Sequence, residues 1–301
     1  KGYEVKAFVR YNFTNNWGWL ESSKYLKDIE IYTGDVRDYD SVYDAIKDVD
    51  VVFHLAALIG IPYSYVSPLA YIKTNTEGTY NILEAGRKLG VDRIIVTSTS
   101  EIYGTAQYVP IDEKHPYNPQ SPYAASKASA DHLALSYYRS FGTPVTIIRP
   151  FNTYGPRQSA RAIIPTIVTQ ILSGKTQIRL GNLTPTRDLN YVKDTANGFI
   201  TVGLHEKTIG DVYNIGSGRE ISIGELAQKI VDLLGRRVEI VQDEQRVRPE
   251  KSEVERLLCN ADKAKALTGW EPKYTLEEGL KETIEWIQNN MQYYKPDIYN
   301  V

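Results

Sequence analysis

The sequence has very little sulfur and few imidazole groups. It contains one cysteine (Cys259), one methionine and four histidines among 301 residues. A single cysteine excludes a disulfide framework and a cysteine-rich metal centre, and four histidines argue against a multi-histidine metal site. We therefore expect no metal ion in the functional site.

Long apolar runs and an excess of one charge are missing as well. No run approaches the roughly 18 apolar residues of a membrane-spanning helix, and no signal peptide is visible. The 35 basic and 37 acidic residues give a formal net charge of −2, which does not indicate a nucleic-acid-binding surface. The sequence thus predicts a cytoplasmic protein that binds neither nucleic acid nor a membrane.

What the sequence does contain is an alternation of short apolar strands and helices. Continuous apolar strands separated by helices indicate a parallel sheet covered on both faces, so we predict an α/β fold with a Rossmann-type doubly wound sheet. The expected strands are residues 5–9, 29–32, 51–54, 93–97 and 144–148, and the expected helices are residues 41–47, 68–89 and 122–141. We predict an NAD(P)-binding domain at residues 1–150. Residues 151–301 would mainly form a smaller α/β substrate lobe, with some segments returning to the sheet. In this half we expect strands at residues 177–180, 188–192 and 212–215 and helices near residues 163–172, 193–204, 222–234 and 275–290.

The start of the chain does not match the start of such a fold. A doubly wound nucleotide-binding fold begins with a strand, a glycine-rich turn and a helix, and the first residues show no such unit. Residues 2–5 instead have the pattern that leads into the second strand. We expect about 20 residues, the usual size of this unit, to precede Lys1; the alternative is a sheet that begins differently.

A tyrosine and a lysine four residues apart carry the first chemical signal. Tyr123 and Lys127 would share one face of a helix. An ammonium beside a phenol favours the phenolate, so we expect a lowered Tyr123 pKa. Such a tyrosine accepts a proton from an alcohol while hydride leaves the same carbon. Tyr43 and Lys47 have the same spacing, which we interpret as a solvated helix face, so the context must separate the two pairs.

The context is a strand that ends in polar residues. The strand predicted at residues 93–97 runs into four consecutive hydroxyl residues and then Glu101. Ligands of open α/β sheets bind beyond the carboxyl ends of the strands. A serine- and threonine-rich turn that caps a helix is the alternative interpretation.

Together with further motifs, these residues resemble a known family. The chain resembles the extended short-chain dehydrogenases/reductases, the NAD(P)-dependent sugar-nucleotide epimerases and dehydratases. The resemblance covers the whole chain and rests on Gly34, Asp35, residues 54–57, Asn75, residues 98–104, Tyr123, Lys127, residues 149–156, Arg187, Asp188, Arg248 and Pro249. Residues 104–116, 157–162 and 181–188 are similar to the 4,6-dehydratases of legionaminic-acid-type pathways, which act on UDP- or GDP-linked N-acetylglucosamine.

The resemblance implies a role for each matching residue. Thr99, Tyr123 and Lys127 would be the catalytic triad. The residues implied for cofactor binding are Arg10, Asp35, Val36, Leu55, Ala56, Ala57, Asn75, Thr97, Tyr123, Lys127 and Pro150. Those implied for substrate binding are Asn152, Arg161, Arg187 and Arg248; the last two would pair with the diphosphate, whose oxygens suit bidentate guanidinium groups.

The residue at position 101 bears on the reaction type. C4 epimerases need no base for carbon 5, whereas 4,6-dehydratases need one, and Glu101 resembles that base. Ser100 occupies the position where glucose-type dehydratases carry an aspartate that acts as an acid. GDP-mannose dehydratases resemble this chain in carrying a serine there. Ser100 would protonate O6 directly or through water. UDP-glucuronate decarboxylases share this segment, so a decarboxylase, a C4 epimerase and a catalytically silent NAD(P)-binding regulator stay open beside the dehydratase.

Two further expectations concern the cofactor and the assembly. The strand at residues 5–9 is followed by Arg10 and by no acidic residue, which favours NADP over NAD because arginine accommodates the 2′-phosphate. Members of the family are usually homodimers that pair two long helices per subunit, and residues 68–89 and 122–141 are the candidate helices.

Overall fold

The parallel strands and covering helices expected for a doubly wound sheet are present in the computed structural model, which describes residues 2–299. The strands are β1 (Val5–Arg10), β2 (Ile29–Gly34), β3 (Val51–His54), β4 (Arg93–Thr97), β5 (Val145–Pro150), β6 (Asn152–Tyr154), β7 (Gln177–Leu180), β8 (Thr186–Tyr191), β9 (Val212–Ile215), β10 (Glu220–Ser222) and β11 (Glu239–Gln242). The α-helices are α1 (Tyr39–Ile46), α2 (Ile61–Val66), α3 (Pro68–Tyr71), α4 (Gly78–Leu89), α5 (Pro122–Phe141), α6 (Ile163–Leu172), α7 (Val192–Gly203), α8 (Ile223–Leu234), α9 (Asp262–Thr268) and α10 (Leu276–Gln288).

The parallel strands form two groups. β3, β4, β5 and β9 pair side by side in that order, all parallel, and β1 pairs with β2 in parallel. No strand within residues 2–299 pairs with both β1 and β3. β9 lies beyond residue 150 and still adds to β5, with Ile147 opposite Val212. The remaining strands form the small sheets β6-β8-β10 and β7-β11.

The sheet is covered on both faces, as predicted. Ile94, Ile95 and Val96 of β4 are fully buried. On one face they pack with side chains of α4 and α5, such as Leu83, and on the other with Trp270 and its neighbours on α7 and α9. Burial on both faces explains why β4 is apolar without alternation.

The helix predicted over residues 68–89 is interrupted. α3 and α4 are joined by a π-helical stretch, Ile72–Glu77, and α4 ends at Gly90, whose φ of 69° suits glycine. π-helical turns redirect side chains and are frequent at functional sites. The stretch contains the buried Asn75.

Five elements were not predicted: α2, α9, β6, β10 and β11. The three strands have three or four residues each, and none is a continuous apolar run. Such segments become strands because a neighbouring strand forms hydrogen bonds with their backbone N–H and C=O groups. The periodicity of apolar residues in the sequence does not reveal this pairing.

A second core lies in the carboxyl-terminal half, where α6, α8 and α10 pack around β7 and β8. α10 approaches two buried tyrosines closely at Gly279. A Cβ on this residue would overlap the hydroxyl of Tyr154 and lie 2.7 Å from Cδ2 of Tyr191. Only a residue without a side chain allows this approach.

We expect Gly279→Ala to destabilise the protein by about 1–3 kcal/mol, because overpacking displaces well-packed rings. Urea unfolding measures the effect. Gly224→Ala on α8 is the matched control, since its nearest neighbour would be the Leu183 carbonyl oxygen at 3.5 Å, and it should be neutral or stabilising by up to about 1 kcal/mol. Equal effects of the two substitutions would contradict the close approach at Gly279.

Candidate active site

Three of the predicted catalytic residues, Thr99, Ser100 and Glu101, lie in one turn just after the carboxyl end of β4. After Thr97 the chain forms a 3₁₀ turn, Ser100–Tyr103, and all four of its residues are buried. Thr99 caps the turn, because its Oγ1 accepts a hydrogen bond from the backbone N–H of Glu101 at 3.2 Å. The cap fixes the position of the Glu101 backbone.

Tyr123 lies in the first turn of α5 and is almost completely buried. The Thr99 side chain lies near enough to act on the Tyr123 hydroxyl, and the ring of Tyr71 meets the Tyr123 ring edge-on with centroids 6.2 Å apart. Two of the predicted triad residues are therefore neighbours.

The expected lowering of the Tyr123 pKa is wrong for this structure. Burial raises the pKa of Tyr123 and the Glu101 carboxylate raises it further, while the Thr99 side chain lowers it in part. Burial disfavours a phenolate, and this effect exceeds the stabilisation that an ammonium was expected to supply.

Lys127 follows one turn later on α5 and is also buried. Its Nζ donates a hydrogen bond to the Thr97 carbonyl oxygen at 2.5 Å. Burial lowers the pKa of Lys127 to about 8, and the Asp131 carboxylate acts in the opposite direction. A buried cation thus lies against the end of β4.

Asn75 fastens the loop after β3 to α5. Its Oδ1 accepts from the Leu58 N–H at 2.8 Å, and its Nδ2 donates to the Leu58 carbonyl and to Ser126 Oγ, each at 2.9 Å. The loop begins with Leu55, which is 63% exposed, and continues through Ala56 and Ala57. This loop therefore exposes apolar surface just beyond the end of β3.

The end of β2 carries a charged cluster. Asp35 accepts hydrogen bonds from the backbone N–H and Nε of Arg37, each at 2.9 Å, and an ion pair at 2.5 Å completes the contact. Arg37 and, more weakly, Arg10 lower the pKa of Asp35 to about 2. Val36 beside it is buried, and its carbonyl accepts from Asn81 at 3.0 Å. Arg37 was missed, although its spacing from Asp35 by two residues was visible.

The two predicted diphosphate arginines share one carboxylate. Arg187 Nη2 lies 3.3 Å from Glu253 Oε1, and Arg248 Nη1 lies 3.5 Å from the same oxygen. Glu101 acts electrostatically on Arg187, so the turn after β4 and this cluster are neighbours. Glu253 was missed because nothing local marks it as their partner.

The other predicted residues are dispersed along the same edge. Asn152 Oδ1 and Thr97 Oγ1 are buried without a hydrogen-bond partner among residues 2–299. Pro150 ends β5 and is half-buried. Arg161 lies against Gly60 near Tyr71.

A known protein family matches nearly the whole chain. The family model described as GDP-mannose 4,6 dehydratase matches residues 1–283. The chain belongs to this family. The resemblance to extended short-chain dehydrogenases/reductases is thereby confirmed, and the Rossmann-type α/β fold with it.

Relatives of this family member include epimerases and dehydratases. A putative UDP-glucose 4-epimerase of Methanocaldococcus jannaschii is 36% identical over 266 residues, which cover 87% of this chain and 85% of the relative. The crystal structure of a dTDP-glucose 4,6-dehydratase from Bacillus anthracis in complex with NAD has a TM-score of 0.85 and 32% identity, covering 98% of this chain and 91% of that one. A UDP-glucuronic acid 4-epimerase from Bacillus cereus, in complex with UDP-glucuronic acid and NAD, has a TM-score of 0.86 and 27% identity, covering 97% and 92%.

Between residues 2 and 299, no helix is long and apolar enough to cross a membrane. The same part of the chain holds no group of three or more histidine, cysteine, aspartate or glutamate side chains that could bind a metal ion.

Proposed function

We propose that the protein is an NAD(P)-dependent sugar-nucleotide 4,6-dehydratase that acts on UDP- or GDP-linked N-acetylglucosamine and forms a 4-keto-6-deoxy sugar nucleotide. The observation that carries this proposal is the position of Glu101. Glu101 is 7% exposed, and its carboxylate acts electrostatically on both Tyr123 and Arg187. A carboxylate near both the proposed hydride-transfer residue and a proposed diphosphate arginine is suited to remove a proton from the sugar.

The residues at the strand ends fit a nicotinamide dinucleotide. The unpaired Thr97 Oγ1 and the Lys127 ammonium lie at the end of β4, exposed Leu55 lies after β3, and Asp35 lies after β2. We infer that Val36, Ala56, Ala57, Asn75, Tyr123 and Pro150 complete the site. When bound, NAD(P)⁺ would accept the hydride of C4 and later return it to C6.

The remaining steps belong to the side chains. Tyr123 has to lose its own proton first, and as a phenolate it takes the proton of the C4 hydroxyl while the C4–H bond breaks. The C5 proton, acidified by the 4-keto group, goes to Glu101, and the C6 hydroxyl leaves as water with a proton from Ser100 or from a water that Ser100 holds. Glu101 returns its proton to C5 as the hydride reaches C6, and the proton that Tyr123 took from the C4 hydroxyl replaces the one given by Ser100, so that the net change is the loss of one water.

The substrate would lie beside the second half of the chain. We propose that Arg187 and Arg248 bind its diphosphate, with Asn152 and Arg161 contacting the sugar nucleotide. Arg187 and Arg248 carry two positive charges, and the Glu253 carboxylate neutralises only part of them. The remaining positive charge is compatible with a negatively charged diphosphate. Residues 1–150 would carry the cofactor and residues 151–301 mainly the substrate.

For the cofactor we propose NADP as the preferred form. Arg10 ends β1 with an exposed side chain, and Arg37 lies at the neighbouring strand end. Two guanidinium groups facing one carboxylate leave positive charge for a 2′-phosphate.

Arg10→Ala should weaken NADP binding by about tenfold or more while NAD binding changes little, because a charged hydrogen bond to phosphate contributes about 1.5–3 kcal/mol. Fluorescence titration of the full-length protein with both cofactors measures the effect. Lys6→Ala on the same strand is the control. Equal affinities of the wild type for NAD and NADP would contradict the preference.

The reaction type is tested by product mass. The protein is incubated with UDP-N-acetylglucosamine, GDP-N-acetylglucosamine and UDP-glucuronate, and we expect a product lighter by one water from one of the first two. Loss of carbon dioxide would indicate the decarboxylase, and an isobaric product the epimerase. Cofactor binding with no product from any substrate would favour a silent regulator.

Glu101→Gln should slow the loss of water from the substrate by about 10²–10⁴-fold. Oxidation at C4 should persist in this variant, and the absorbance of reduced nicotinamide measures it. Glu113→Gln is the matched control, because an amide oxygen would still accept the Asn214 N–H that Glu113 Oε1 accepts at 2.7 Å. Normal dehydration by Glu101→Gln would refute the proposed base.

We also propose a homodimer formed through α3–α4 and α5. Large apolar side chains on these helices are exposed, among them Leu69, Ile72 and Phe141 at 60%, 53% and 58%. Apolar side chains grouped on one surface are typical of a protein interface.

Light scattering should therefore give twice the 34.1 kDa of the chain. Ile72→Glu should shift the mass towards the monomer because it buries a charge in the interface, and Tyr25→Glu, on an exposed tyrosine elsewhere, should not. A monomeric wild type would overturn the proposal.

A further inference from the structure

A buried aspartate lies one turn beyond Lys127 on α5. Asp131 is fully buried, and its Oδ2 accepts hydrogen bonds from Ser98 Oγ at 2.8 Å and from Arg149 Nε at 3.0 Å. Its Oδ1 is also buried and has no hydrogen-bond partner among the described residues. A carboxylate with one unpaired, desolvated oxygen is unfavourable unless a nearby charge compensates it.

Arg149 holds this carboxylate in place. The guanidinium is 1% exposed, at the end of β5, and its other nitrogens donate to the hydroxyls of Tyr103, at 2.8 Å, and Tyr117. Tyr103 in turn donates to Asn214 Oδ1 at 2.8 Å. Because Tyr103 ends the turn that contains Glu101, Arg149 connects β5, α5 and the catalytic turn.

Spacing directs Asp131 towards Lys127. Residues four apart lie on the same face of a helix, and both side chains are buried on α5. Among the described residues, the Asp131 carboxylate is the charged group that acts on the Lys127 ammonium. The Thr97 carbonyl that accepts its hydrogen bond is neutral, and burial lowers the pKa of His54 to about 3.

We propose that Asp131, fixed by Arg149 and Ser98, is a positioning residue whose carboxylate supplies the counter-charge that keeps the buried Lys127 ammonium protonated. This inference rests on the proposed function in one respect, namely that Lys127 acts in the active site. Asp131 was not singled out from the sequence. In the absence of the carboxylate, burial alone would act on the ammonium and release its proton at lower pH.

The experiment measures the protonation of Lys127 directly. The full-length protein is labelled with ¹³C at lysine Cε, the Lys127 signal is identified by its loss in Lys127→Arg, and its chemical shift is followed against pH. We expect Asp131→Asn to lower the Lys127 pKa by about one unit or more. Asp131→Glu should restore most of the difference, and Asp194→Asn, a buried aspartate on α7, should leave the pKa unchanged.

A second variant covers the case in which Asp131→Asn does not fold. Replacing the pair together, as Asp131→Leu with Arg149→Met, removes both charges at similar volume, which buried ion pairs often tolerate. The Lys127 pKa of this double variant should also be lower than that of the wild type. A folded variant of either kind with an unchanged Lys127 pKa overturns the proposal.

This measurement requires no turnover, so it separates the two proposals. If the Lys127 pKa shifts as expected but no substrate loses water, the counter-charge stands and the dehydratase assignment fails. If a substrate loses water but the Lys127 pKa does not shift, the dehydratase assignment stands, and Asp131 with Arg149 has only a structural role.

Discussion

β4 is buried on both faces between β3 and β5, so every polar group that follows its carboxyl end has to be satisfied inside the protein. The Thr99 cap holds the turn after β4, Lys127 donates to the Thr97 carbonyl, and Ser98 donates to the Asp131 carboxylate. These contacts bring the residues from β4 and α5 together.

The same burial that assembles the site also sets its electrostatics. It raises the pKa of Tyr123 and lowers that of Lys127, and both shifts favour the neutral form of the side chain. Charge must therefore be maintained by charged partners close by. Asp131 with Arg149 is a fully buried arrangement of this kind, and Glu253 with Arg187 and Arg248 is a partly buried one.

Family membership leaves the choice between dehydration and epimerisation to a few side chains. Relatives of both kinds share the chain's fold and most of its length. The distinction depends on what the turn after β4 presents to the sugar, since fold alone does not determine chemistry. Glu101 is the residue in that turn with a charge to contribute.

The sequence by itself determined the alternation of strands and helices, the covered parallel sheet and the family, because apolar periodicity and short motifs are local properties. The tertiary structure decided the π-helical turn at Asn75, the short strands, and the partners of Arg149 and Arg187, which lie 18 and 66 residues away in the chain. It also decided the direction of the Tyr123 pKa. Desolvation depends on everything packed around a group, and spacing along one helix does not report it.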